Sequence, residues 1–288
     1  MNSPMPASWQ NLASLLLLLA LGSRQAMSDE DAVHQAYRAR MAGKIDEARQ
    51  RLEPALGEGP GQALAWFELA RLRFQQDGQS LDSAAAAIQR AVQLAPDESR
   101  YHRWSARIAL YNGILKSHQR GDVQGEFRRA VAAAERAVVL APDDHEARRM
   151  LVSLYGNNPP ELGGNRDKAE QHVVALERRS PIDGAAARCE FALAAQPDKK
   201  VLLWREVAEK LPTEALAQEH LAIQYAWTGN IDEAARHAER ALALNPQRAH
   251  VWLELSRALA LQKQWEPAEK FARAYLEAAP PPPLALRA

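Results

Sequence analysis

"ALAQEHLAIQYAWTGNIDEAARHAERALALNP", residues 215–246, is the stretch on which the reading of this chain turns. Its first half sets Leu221, Ala222 and Tyr225 on one side of a helix, at the spacing a 3.6-residue period requires. "TGN" at 228–230 then interrupts, because Gly229 accepts the left-handed backbone that ends a helix. Asp232 stands near the start of a second helix, along whose inner side run Ala234, Ala238 and Ala241. Such small side chains let two helices approach closely. Pro246, with no amide hydrogen to donate, closes the stretch. The prediction is a pair of antiparallel helices.

Outward from this pair the pattern recurs. Ala/Leu-rich segments end in proline at Pro60, Pro96, Pro142, Pro181, Pro212, Pro246 and Pro280. The steps are 36, 46, 39, 31, 34 and 34 residues, a period near 34 with insertions. Periods of that length belong to stacked helical hairpins, in which each pair buries its apolar side only against its neighbours. The fold class expected is therefore all-α, an α-solenoid of about seven helix pairs over residues 31–280.

The unit 215–246 resembles the tetratricopeptide repeat, whose pattern is W-x2-L-G-x2-Y, then A-x3-F, then A and P. Trp252, Leu255, Ser256, Leu259, Ala268 and Pro280 repeat it, as do Leu151, Val152, Tyr155, Ala169, Val173 and Pro181. Ala36, Gly43, Ala48, Leu52, Ala55 and Pro60 do the same in 31–60. The units ending at Pro96, Pro142 and Pro212 keep the second helix but blur the first. The resemblance is to the bacterial exported type, and it implies a right-handed superhelix that binds a protein or peptide partner in its concave groove. In that family the groove is lined by the second, fifth, ninth, twelfth and thirteenth positions of each first helix. On 215–246 these are Leu216, Glu219, Ile223, Ala226 and Trp227; on 249–280 they are His250, Leu253, Arg257, Ala260 and Leu261. The resemblance thus implies a binding strip of Leu216, Glu219, Ile223, Trp227, His250, Leu253, Arg257 and Leu261. For Trp227 two readings stand side by side, a groove anchor and a packing residue. The Lys/Asn clamp with which some relatives hold an acidic chaperone tail is missing, since Glu219, Ile223 and Glu254 stand at matching positions.

Two places depart from the period. At 155–171, "YGNNPPELGGNRDKAEQ", Tyr155 and Ala169 lie fourteen residues apart where Tyr225 and Ala234 lie nine. Residues 156–165 thus read as a turn lengthened by five residues, with Asn165 or Asp167 capping the next helix. A phosphate cradle is the sharper alternative, using helix-terminal amides beside Arg166 and Lys168. Against it, no strand precedes the loop and no Lys-Ser/Thr ends it. The unit 97–142 is twelve residues too long and predicts a first helix running through Lys116, a break at Gly121 and then the second helix.

Charge and chemistry narrow the function. Lys plus Arg equals Asp plus Glu at 36 each, which gives no cationic surplus for a nucleic-acid backbone. One cysteine, Cys189, excludes an internal disulfide and any multi-cysteine metal site. No two of the eight histidines stand three or four residues apart, so no helix presents a paired metal site, and His237 falls on the polar side of its helix. With the repeats filling 31–280, no enzyme, metal or cofactor is expected. The expected role is a non-enzymatic adaptor or assembly factor, or else a self-associating solenoid whose last unit lacks a polar cap. The apolar run "LASLLLLLAL" at 12–21 is too short to cross a bilayer and suits a secretory leader over 1–26, cut after Gly22. That predicts an exported, periplasmic protein; a start at Met27 would instead make it cytoplasmic. Residues 281–288 read as an extended proline-rich tail.

Overall fold

The computed structural model describes residues 29–76, 81–118, 123–193 and 196–278. The predicted leader, the break at Gly121, Pro280 and the tail lie outside them. Fourteen helices occur among the described residues, with no strand. The first pair is α1 (Asp29–Met41) with α2 (Ile45–Leu52), and the second is α3 (Ala63–Gln76) with α4 (Asp82–Leu94). α5 (Ser99–His118) and α6 (Gln124–Leu140) follow, then α7 (His145–Asn157) and α8 (Arg166–Arg179). The last three pairs are α9 (Pro181–Phe191) with α10 (Pro197–Lys210), α11 (Ala215–Trp227) with α12 (Ile231–Leu244), and α13 (Val251–Leu261) with α14 (Trp265–Ala278). Each pair packs on the next, and first helices meet first helices at α1/α3, α7/α9 and α11/α13. α9 is the exception, resting mainly on α8 while α10 rests on α11. The result is the α-solenoid the period predicts.

The alanines explain the packing. Ala48, Ala84, Ala130, Ala134, Ala169, Ala234, Ala238 and Ala241 are all at or below 1% exposed, at second-helix positions facing a first helix. A larger side chain at any of them would force the pair apart. Larger apolar groups fill the space between units: Leu52, Leu72, Ile108, Leu151, Leu176, Leu221 and Leu255 are fully buried.

The turns show the repeat at atomic detail. Lys44 donates to the Ala39 carbonyl, Asn230 to Tyr225 and Gln264 to Leu259, each at 2.9 Å and each five residues back. The residue before each donor, Gly43, Gly229 or Lys263, has φ of 74°, 75° or 61°. This is the Schellman closure, which needs a left-handed residue just past the helix. In the fourth unit the same bond forms between Asn165 and Tyr155, again at 2.9 Å, but across ten residues. The five extra residues coil into a short turn at Pro160–Leu162 that ends on Gly163, φ 91°. Asn165 then caps α8 by accepting from the Lys168 amide at 3.0 Å. Gly164 is fixed by close approach, since a Cβ there would strike the Asn158 carbonyl oxygen. The amides of residues 162–165 are all spent on Pro159, Pro160 or Tyr155, Lys168 reaches Tyr155 and Glu135, and Arg166 covers the Phe191 ring. The loop amides and both cationic side chains are thus engaged within the fold. The stretch is a lengthened turn.

A second equivalence confirms the register. His172 stacks on Tyr155, with ring centroids 6.0 Å apart, and His237 stacks on Tyr225 at 5.5 Å. Arg148 and Gln218, each seven residues before the tyrosine, contact the Nδ1 of those histidines. Glu135 and Arg205, each twenty residues before it, bond the tyrosine hydroxyls from the preceding second helix. Sequence reading had placed His237 on the polar surface. It is half-buried instead, because Tyr225 offers it a ring and Gln218 an acceptor across the pair.

Candidate protein-binding face

In five of the seven first helices one small residue is buried to 1% or less: Ala36, Ala70, Ala106, Val152 and Ala222. The next residue, turned by about 100°, leaves the core. Those residues are Tyr37, Arg71, Arg107, Ser153 and Ile223, and Arg257 holds the same register after the half-buried Ser256. Residues of neighbouring units on this face touch. The Arg71 guanidinium lies 5.6 Å from the Tyr37 ring and 5.3 Å from Trp104, and Arg107 lies 4.9 Å from Trp104 on the other side.

At the C-terminal end the residues of the expected strip differ in exposure. Trp227 is 44% exposed, Leu253 45% and Leu261 65%; His250 and Arg257 are exposed as well, and Leu216 and Ile223 are half-buried. Trp227 is therefore not a core residue. Glu219 corrects the expectation: it is 5% exposed and held by Arg248 at 3.2 Å and His250 at 3.0 Å. It pins α11 to the turn before α13 and has no free edge to offer. Ala226 is buried too, its carbonyl accepting from Gln262 at 3.0 Å.

The N-terminal half of the face was missed. On α1, α3 and α5 the same register brings Tyr37, Phe67, Arg71, Phe74, Trp104 and Tyr111 together, with the Phe74 ring edge-on to Trp104 at 5.7 Å and to Tyr111 at 5.4 Å. Guanidinium planes fill the gaps between rings, where cation–π attraction favours them. Arg71 stands over three rings, and Arg100 over Phe67 and Tyr101. Most of these residues, Tyr37, Phe67, Arg71, Phe74 and Tyr111, stand at the family's groove positions, in units whose spacing matches the repeat less closely than 215–246 and 249–280 do.

Carboxylates tie these arginines down. Glu68, 3% exposed, takes both Arg40, itself 5% exposed, and Arg71. Glu146 takes Arg103 and Arg107, Arg103 also meets the helix-capping Asp144 at 3.4 Å, and Glu190 takes Arg149 at 2.6 Å. Burial, together with the cationic neighbours Arg40 and Arg100, outweighs Glu68 and pulls the Arg71 pKa below its usual value; Arg107 is lowered chiefly by burial, with Arg103 adding to it. Both stay charged, as guanidinium does in proteins. Between α5, α7 and α9 the face sinks into a cavity of about 470 Å³ lined by Arg107, Tyr111, Arg149, Met150, Asp183 and Glu190. Elsewhere chemistry is sparse. Cys189 is 7% exposed, and burial pushes its thiol up to about 11, where it is inert at neutral pH. Among the described residues no cluster of His, Cys, Asp and Glu could hold a metal, and no helix is long and apolar enough to cross a membrane.

The family comparison bears on both ends of this face. Residues 39–108 and 228–288 match the family described as tetratricopeptide repeat. In these two segments the chain carries tetratricopeptide repeats. A crystal structure of a tetratricopeptide repeat protein from Parabacteroides merdae is similar over 91% of this chain and 97% of its own, at 15% identity and a TM-score of 0.52. YrrB, described as a tetratricopeptide-repeat protein with an unusual peptide-binding site, aligns over 70% of this chain and 97% of its own, at 17% identity and a TM-score of 0.33. MamA aligns over 74% and 96%, at 15% identity and a TM-score of 0.40. No curated protein matches the chain in sequence.

Proposed function

We propose that this tetratricopeptide-repeat chain is a non-enzymatic scaffold that binds a peptide or helix of a protein partner along the groove of its first helices. The observation that carries the reading is the line of exposed apolar side chains, Trp227, Leu253 and Leu261, on a face whose neighbouring positions are packed. A folded chain gains nothing from leaving an indole open to water, whereas aromatic anchors of that kind dominate protein interfaces. Neither a metal nor a cofactor enters this role, and a partner chain, not nucleic acid, fills the groove. Affinity capture with the intact chain and with Trp227→Ala tests it: loss of a shared partner supports the groove, and identical captures refute it.

A second reading, self-association through the last pair, is favoured by Trp265 at 66% exposed and Leu276 at 75%. Light scattering over a concentration range separates the two, since a strict monomer removes self-association. We also propose export to the periplasm, on the strength of the apolar run at 12–21. A native N-terminus at Ser23, read by mass spectrometry, is the expected result, and an intact Met1 or Met27 start in the cytosol would refute it.

A further inference from the structure

The stacked rings of Tyr155 with His172 and of Tyr225 with His237 fill equivalent space in the fourth and sixth units. They lie between the two helices of a pair, on the side of the first helix turned away from the groove. In the seventh unit the buried Leu259 and Phe271 hold the same two places. In the third unit both places fall to alanine. Ala109 stands three residues after Ala106, as Tyr155 does after Val152 and Tyr225 after Ala222. Ala133 stands three after Ala130, as His172 does after Ala169 and His237 after Ala234. Two rings are thereby replaced by two methyl groups. A cavity of about 650 Å³ opens there between α4, α5 and α6, lined by Ala109 and Ala133 with the buried Ile88 and Ile108 beneath.

Polar residues occupy the places that serve the stack elsewhere. Seven residues before the tyrosine, where Arg148 and Gln218 contact the histidine, the third unit has His102. Twenty before it, where Glu135 and Arg205 bond the hydroxyl, stands Gln89. Lys168 also donates to the Tyr155 hydroxyl, at 3.1 Å, and its counterpart is Arg129, which Glu126 holds at 2.6 Å. His102, Gln89 and Arg129 all line the cavity.

We propose that this cavity binds a small flat aromatic molecule of two rings bearing a hydroxyl, which takes the space that tyrosine and histidine side chains fill in the other units. The volume falls in the range of about 300–1,000 Å³ common to small-ligand sites. Ile88, Ile108 and the alanines give the rings an apolar bed, while Gln89 and Arg129 meet the hydroxyl as Glu135 and Lys168 meet that of Tyr155. A partner's tyrosine would offer one ring to a space that two rings fill elsewhere in the array. The site is separate from the groove, because Trp104, Arg107 and Tyr111 leave α5 on its opposite side. A ligand here and a partner there do not compete.

The test is isothermal titration of the intact chain with 2-naphthol, beside p-cresol, which is the tyrosine side chain alone. 2-Naphthol should bind at one site, and p-cresol about tenfold or more weakly for the apolar area it leaves unburied. Ala109→Tyr with Ala133→His completes the stack from within; it should abolish binding while the chain melts no lower than the parent. Gln89→Leu, at an exposed position, should weaken 2-naphthol about three- to tenfold, the worth of one neutral hydrogen bond. Arg273→Gln, on the exposed side of α14, should leave it unchanged. If the double variant does not fold, Gln89→Leu decides alone. Absence of 2-naphthol binding, binding that survives the completed stack, or indifference to Gln89→Leu overturns the site. p-Cresol binding as tightly as 2-naphthol overturns the two-ring ligand and makes a partner's tyrosine the occupant.

Discussion

The two ends of the first-helix face are built from the same register and opposite chemistry. Over α1 to α7 the outward positions hold arginines stacked between rings and braced by a buried carboxylate; over α11 and α13 they hold an indole and leucines open to water. The difference shows that the repeat constrains only what lies between helices. The alanines and leucines inside are nearly interchangeable from unit to unit, while the outward residues answer to whatever lies on them. The sharpest way to break the comparison is at Glu68. Glu68→Ala leaves Arg40 buried and unmatched, and should cost about 3–5 kcal/mol, because a lone buried charge has no solvent to fall back on. Thermal melting reads it, and replacing Arg40 by Met in the same chain should recover most of the loss. If Glu68→Ala melts like the parent, the N-terminal face is looser than the buried ion pair implies.

Acid attacks the other half. His220 on α11 stacks on Trp204 at 4.2 Å, and burial, with Arg149 and Arg248 adding to it, brings its pKa down to about 4. Unfolded, the imidazole has a value near 6.5 and takes up its proton first. Stability is therefore full above about pH 6.5 and falls steadily toward pH 4, by up to about 3 kcal/mol from this group alone. Burial, the largest cause in each, also lowers His172 and His237, which act in the same sense. Hydrogen exchange at pH 5 should show α10 to α12 opening before α1 to α4, and His220→Phe should flatten the pH dependence. Uniform protection along the chain at that pH would refute it.

Most of the fold was legible because its determinants are local. Gly229 ends α11, Ala234 and Ala238 let α12 approach it, and the spacing of Tyr155 from Ala169 measured the five-residue insertion correctly. What escaped notice depends on neighbours. Glu219 sits at a groove position in the family pattern, yet Arg248 and His250 arrive from the next turn and bury it. His237 looks polar on its own helix, and only the pairing with α11 supplies Tyr225. The arginine face lay in α3 and α5, whose first-helix pattern is blurred because Phe67 and Trp104 serve the stack outside as well as the core. Nothing in one unit's spacing announces that.

The shared register can itself be sharpened at the last turn. Gly43 and Gly229 take the left-handed closing position without strain, but Lys263 takes it at φ 61° with a side chain attached. Lys263→Gly should raise stability by up to about 1 kcal/mol, the left-handed cost relieved less the entropy that glycine adds. The gain should appear in the melting of the C-terminal pair. A loss would mean that Lys263 makes contacts worth more than its backbone costs.

The smallest expected change in stability is at Trp227, and it carries the most information about function. Its neighbours Ala226 and Tyr225 are buried, and α11 ends on it, so its backbone is fixed while its ring is 44% exposed. Truncating a core tryptophan costs about 3–5 kcal/mol, whereas a surface substitution stays within about 0.5 kcal/mol. Trp227→Ala should therefore melt within about 0.5 kcal/mol of the parent chain. Capture of a groove partner should nonetheless weaken by the about 2–4 kcal/mol typical of an aromatic anchor. Melting and pull-down measured on one preparation give four outcomes. Unchanged melting with lost capture makes the indole an anchor, and unchanged melting with unchanged capture refutes the groove reading. Lost stability, with or without capture, makes Trp227 a packing residue despite its exposure. It would then remove the aromatic half of the contrast, leaving Leu253 and Leu261 to hold a partner with no ring between them.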